Sequence, residues 1–78
     1  MPLHIKYFGM IAEATNVQEE YIEIDNCTTA ELLDQLIVRY PQFKNMDCKV
    51  AIDHKIATMN DRITSESEIA LLPPFAGG

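Results

Sequence analysis

A chain of 78 residues holds one domain with a small core, and its 47% apolar and 23% charged residues suit a folded globular protein rather than a disordered one. The net charge is −6, and the bases Lys6, Arg39, Lys44, Lys49, Lys55 and Arg62 are scattered without a stripe, which argues against a nucleic-acid or anionic-membrane surface. No apolar run approaches the roughly 20 residues that cross a bilayer.

Along the chain, Leu3, Ile5 and Tyr7 alternate with His4, Lys6 and Phe8, the pattern of a half-buried strand, and Gly9 ends it. Residues 10–14 suit one helical turn before Asn16. Alternation resumes over residues 20–24, with Ile22 and Ile24 inward and Tyr21 and Glu23 outward, so the two strands are able to pair as a wide hairpin. Asp25-Asn26 breaks the pattern. Thr28-Thr29-Ala30-Glu31 is a capping-box sequence. Leu32, Leu33, Leu36, Ile37 and Tyr40 then recur at helical spacing, and Pro41 stops the helix.

A third strand follows, with Cys48, Val50 and Ile52 on one side and Lys49, Ala51 and Asp53 on the other. Asp53-His54-Lys55 suits a tight turn, residues 56–59 a short return strand, Asn60-Asp61 a further turn, and residues 64–67 a polar loop. The last strand runs over residues 68–72, with Ile69 and Leu71 inward and Glu68, Ala70 and Leu72 outward. Two strands, one helix, then two or three strands predict an α+β fold: a β-grasp (ubiquitin-like) roll. Its mixed sheet of four to five strands carries one main helix on one face, and the first and last strands are parallel neighbours at the centre. The expected division is a domain over residues 1–72 and an extended tail over 73–78.

Phe8 and Leu72 fall on the face the helix does not cover, at the ends of neighbouring strands beside the root of the tail. Ile56, Met59 and Ala70 are candidates to extend that apolar surface, and a docking partner is one explanation for it. The tail itself is Pro73-Pro74-Phe75-Ala76-Gly77-Gly78. Two prolines cannot continue a hydrogen-bonded ladder, and two glycines present the least hindered carboxylate a chain can carry, which points to the C-terminus as a reactive group. The acidic charge suits steering toward a basic partner, and equally simple solubility.

Other chemistry is poorly supported. His4 and His54 sit in no Ser-His-Asp or Cys-His pattern. Asp53, Asp61, Glu66 and Glu68 do not have the spacing of a calcium loop, and three glycines form no phosphate loop. Cys27 and Cys48 make no CxxC pair, so no metal site is expected. Without a secretory leader the expectation is a cytoplasmic, reducing location with free, structural thiols.

The ending Glu68-Ile69-Ala70-Leu71-Leu72-Pro73-Pro74-Phe75-Ala76-Gly77-Gly78, Tyr7-Phe8-Gly9 after the first strand, and Val50-Ala51-Ile52-Asp53 at the hairpin resemble the molybdopterin synthase small subunits, the MoaD-type sulfur carriers of the MoaD/ThiS family. The likeness spans the chain, and Pro-Pro-x-x-Gly-Gly is its most specific part. It departs from the family at Ala12, where arginine is common, at Asp53, where asparagine is frequent, and at Asn16, where glycine is frequent.

The resemblance implies a carrier that is no enzyme on its own and binds no cofactor. An ATP-dependent activating enzyme, using ATP and Mg²⁺, would adenylate the Gly78 carboxylate, which is then converted to a thiocarboxylate. Sulfur would pass to the pterin precursor of the molybdenum cofactor inside the large subunit of a heterotetramer. Gly77 would thread a narrow channel, and Phe8, Ile56, Leu72, Pro73, Pro74, Phe75 and Ala76 would contact the partner. The alternatives are a sulfur carrier for thiamine thiazole synthesis, and a ubiquitin-like binding module whose C-terminus does no chemistry.

Overall fold

A computed structural model of the protein describes residues 2–24, 26–64 and 66–73. Strand β1 is Pro2–Tyr7, followed by a short helix α1 at Met10–Thr15 and strand β2 at Glu19–Glu23. β3 at Cys27–Thr28 runs into the main helix α2, Thr29–Arg39, and a 3₁₀ helix over Pro41–Asn45. β4 (Lys49–Ile52), β5 (Lys55–Ile56), β6 (Arg62–Ile63) and β7 (Glu68–Leu72) complete the order.

The five-stranded sheet runs β2-β1-β7-β4-β5. β1 and β7 are parallel at its centre, with Ile5 opposite Ile69 and Tyr7 opposite Leu71. This is the expected β-grasp arrangement. The inward phase of β1 and β7 is also as expected: Leu3, Ile5, Tyr7, Ile69 and Leu71 are buried, and with Val50 of β4 they meet Leu32 and Leu36 of α2 in one core with Ile11, Phe43 and Ile63, while Ile22, Ile24 and Ile52 are half-buried against it and Ala51, expected outward, is buried too. Among the described residues no helix is long and apolar enough to cross a membrane.

The N-terminus of α2 shows how local chemistry and distant chain cooperate. Thr28 Oγ1 accepts from the Glu31 backbone N–H at 3.2 Å, and the Glu31 carboxylate accepts from the Thr28 N–H at 2.8 Å, completing the box. The Thr29 N–H donates to the Asp61 carbonyl at 2.9 Å and the Ala30 N–H to the Met59 carbonyl at 3.1 Å. The first-turn donors that a helix cannot satisfy itself are thus met by the segment before β6. The Thr28 backbone N–H and hydroxyl hold the Glu31 carboxyl below its usual value. With the folded value depressed, this stabilisation is present above the unfolded carboxyl range and is lost as pH falls. Thr28→Ala is expected to cost about 1 kcal/mol in a urea melt, with Thr28→Ser close to wild type. An unchanged midpoint in the alanine variant would remove the cap from the account.

Three features differ from the sequence expectation. The return strand after the turn covers only Lys55–Ile56, not 56–59: the Ala57 N–H still donates to the Val50 carbonyl, but at Thr58 the chain turns away, its N–H held by the Asp61 carboxylate and its carbonyl accepting from the Asp61 N–H. Residues 62–63 pair with β3 in a separate two-stranded sheet, Cys27 opposite Ile63. The chain beyond Pro41 forms the 3₁₀ helix, which inserts Phe43 into the core.

Glu20, on the inward phase of β2, accepts from the Tyr7 hydroxyl at 2.7 Å, from the Tyr40 hydroxyl, and from Arg39 Nε at 2.9 Å. Burial and this carboxylate push the Tyr7 phenol far above its ordinary value. The network ties β1 and β2 to the C-terminal end of α2, and a partly buried carboxylate with three donors avoids the penalty of an unpaired one.

Candidate docking surface and tail root

On the face opposite α2, Phe8, Leu72, Ile56, Ala70 and Ala51 enclose an apolar groove of about 330 Å³, with Lys6, His54 and Glu68 at its rim. Its shape follows from side-chain size along adjacent strands. Ala51 and Ala70 stand opposite each other on β4 and β7 and make a low floor. Phe8, 45% exposed, and Ile56, 57% exposed, stand above that floor. Phe8 extends the parallel pairing one residue past β1, its N–H donating to the Leu71 carbonyl at 3.2 Å. Leu72, the last residue of β7, is half-buried beside it.

The rim is charged and paired. Lys6 Nζ lies 2.9 Å from Glu68, and His54 Nε2 lies 3.9 Å from the same carboxylate. The lysine, by hydrogen bond and charge, holds the Glu68 carboxyl below its usual value. The Asp53-His54 turn has φ of 50° and 72°, an uncommon left-handed pair for residues with a Cβ. Two bonds hold it: Asp53 N–H donates to the Glu68 carbonyl, and Glu68 N–H donates to the Asp53 carboxylate, both at 2.9 Å. The hairpin that carries Ile56 is thereby clamped to β7.

Of the residues expected to meet a partner, the structure brings Phe8, Ile56 and Leu72 together in this groove, with Ala70. Met59 does not belong to it. It lines a separate recess of about 260 Å³ with Leu33, Ile37, Phe43, Met46, Asp47 and Cys48, because the chain turns toward α2 after Ile56. Pro73 is buried rather than exposed at the groove. Pro74, Phe75, Ala76, Gly77 and Gly78 lie outside the described residues. Lys6, Ala51, His54 and Glu68 were not singled out as groove residues from the sequence, although the outward phase of Lys6, Ala51 and Glu68 carries that information.

Phe8 also borders a second, more polar recess of about 450 Å³, formed with Lys6, Tyr7, Gly9, Ala12, Gln18 and Glu19. The other chemistry-bearing residues are engaged elsewhere. His4 Nε2 sits 2.6 Å from Glu19, and its ring stacks on Tyr21 at 4.6 Å. Cys27 is buried and Cys48 half-buried; both are free, and burial pushes both thiols up, away from the reactive thiolate. Among the described residues no group of three His, Cys, Asp or Glu could hold a metal ion.

An apolar groove at the ends of the two central strands, beside Pro73, on a mixed sheet covered by one main helix defines a ubiquitin-like β-grasp domain. The chain belongs to the ThiS family, which it matches over residues 5–78. It is 30% identical over 80 residues to the molybdopterin synthase sulfur carrier subunit of Mycobacterium tuberculosis, covering 97% of this chain and 96% of that one. The subunit of the same name from Caenorhabditis briggsae is 30% identical over 79 residues, with 95% and 94% covered. The fold is that of a putative molybdopterin converting factor subunit 1 from Pyrococcus furiosus, with a TM-score of 0.87 at 19% identity over 95% of this chain and 98% of that one. A solved complex of subunits 1 and 2 of the molybdopterin-converting factor from Helicobacter pylori contains the same fold, with a TM-score of 0.67 at 21% identity over the whole of both chains.

Proposed function

We propose that this protein is the sulfur carrier subunit of a molybdopterin synthase. The observation that carries the reading is the match to curated sulfur carrier subunits over nearly the whole chain, together with a family match that runs through Gly78. The groove beside the tail root supports it, since a carrier must dock before its terminus can be used.

The chemistry follows from what a carboxylate lacks. A carboxylate is a poor electrophile. In the proposed sequence an oxygen of the Gly78 carboxylate attacks the α-phosphorus of ATP, with Mg²⁺ in the activating enzyme, and pyrophosphate leaves. Hydrosulfide supplied by the sulfur donor then attacks the acyl carbon, the bond from that carbon to the AMP phosphate oxygen breaks with its electron pair leaving on AMP, and loss of the S–H proton leaves a thiocarboxylate at the terminus. Its sulfur passes to the pterin precursor inside the large subunit. General acids and bases come from the partners. This chain binds, aims and excludes water, and its contribution is positioning.

Incubation with ATP, Mg²⁺, the cognate activating enzyme and a sulfur donor is expected to give one oxygen-to-sulfur exchange at the C-terminus by intact mass. An unchanged mass with an active cognate enzyme overturns the thiocarboxylate chemistry. Specific binding of a thiazole synthase instead of a molybdopterin synthase large subunit would move the protein to the thiamine branch.

A further inference from the structure

Gly9 stands between the docking groove and the tail root under two independent constraints. Its backbone has φ 55° and ψ −133°, and the Ile11 N–H donates to the Phe8 carbonyl at 3.0 Å across it. A positive φ at the first central position of such a turn suits glycine, since a Cβ is strained there. The second constraint is spatial: a Cβ on Gly9 would stand 3.0 Å from Pro73 Cγ. Pro73 is buried although β7 has ended one residue earlier.

The neighbours of this contact are groove residues. Phe8 precedes Gly9 and Leu72 precedes Pro73, and both line the docking groove. The Phe8 N–H to Leu71 carbonyl bond ties the two strand ends just behind them. Docking surface and tail root therefore form one corner of the fold.

We infer that Gly9 is a positioning residue: it seats the Pro73 ring and so sets the direction in which the tail leaves the domain, in register with the groove. This rests on the carrier reading above. Leverage makes the seat consequential. Five residues follow Pro73. Fully extended they would reach about 17 Å, so a rotation of about 10° at the root would displace the terminus by about 3 Å. A misplacement of about 1 Å at a reacting centre is able to cost on the order of a hundredfold in rate.

The test is a steady-state assay of thiocarboxylate formation with the activating enzyme, in which KM follows docking and kcat follows delivery of the terminus. Pro73→Ala removes the ring carbons, Cγ and Cδ, that stand 3.0 and 3.8 Å from where a Cβ on Gly9 would be, and leaves the Gly9 turn as it is. We expect its kcat to fall about tenfold with KM within about twofold of wild type, and its melting transition to remain cooperative. Gly9→Ala is expected to lower kcat at least as much. The double variant should then lose little beyond Gly9→Ala alone, because both changes break one contact. Nuclear Overhauser contacts between the Gly9 Hα and Pro73 ring protons are expected in the wild type. The inference is overturned if Pro73→Ala keeps its kcat, if KM rises in step with the loss of kcat, or if the Gly9–Pro73 contact is absent from the spectra. Should wild type form no thiocarboxylate while that contact is seen, the carrier reading fails and the seat stands as structure alone.

Discussion

Deletion of Gly78 is expected to abolish sulfur transfer while leaving the fold and partner binding intact. The truncated chain still ends in a carboxylate, on Gly77, so the chemical group is not lost. What is lost is reach: one residue withdraws the carboxyl carbon by about 3.5 Å from the site of adenylation. Since effective molarity collapses over about 1 Å of misplacement, the loss of thiocarboxylate formation should exceed about a hundredfold. No described core residue or groove residue is altered, so the melting temperature and the affinity for the large subunit should match those of the full chain. The measurements are single-turnover mass analysis, a thermal melt and titration calorimetry. Molybdopterin formation supported by the truncated chain at the normal rate would sink the carrier proposal and favour a module that acts only by docking.

Phe8→Asp is expected to break docking without unfolding the domain. The ring is 45% exposed in the free protein and borders both recesses beside the tail root, so the fold gains little from it. In a complex that covers the groove, an aspartate there would be carried out of water against Leu72, Ile56 and Ala70. The nearby Lys6 already pairs with Glu68. Loss of an aromatic anchor at the centre of an interface typically costs about 2 kcal/mol or more, which is roughly thirtyfold or more in affinity. Leu71→Asp is the contrast. Leu71 is fully buried one residue from the groove, and a charge on that side of the sheet should unfold the protein. Circular dichroism melts and calorimetry with the large subunit distinguish the two variants. A Phe8→Asp chain that loses its melting transition would place Phe8 in the core, and one that binds with full affinity would take the interface elsewhere.

Much of the site was legible before the structure because its signals are local. A strand turns successive side chains to opposite faces, so Tyr7 inward places Phe8 outward, and Leu71 inward places Leu72 outward. The groove walls follow once β1 and β7 are neighbours. Residues with no local signature were less accessible. Glu20 shares the inward phase of Ile22 and Ile24, yet nothing nearby in the chain shows that Tyr7, Tyr40 and Arg39 converge on its carboxylate. Met59 looks like an extension of the Ile56 surface until the chain's turn toward α2 carries it to another recess.

Local sequence pattern fixes the phases of the two central strands, the α2 stripe with its Thr28–Glu31 box, and the order of elements that a β-grasp sheet requires. These depend on side-chain periodicity and on bonds between residues three or four apart. Packing in three dimensions sets the pairing of Cys27–Thr28 with Arg62–Ile63, the Phe43 plug after Pro41, the Ala51–Ala70 floor and the close approach of Pro73 to Gly9. Each of the pairings joins residues at least 19 positions apart, and Phe43 is buried only because distant strands supply its surroundings. The physical reason is that long-range contact is set by how the elements pack together, and packing leaves no periodic trace in the chain.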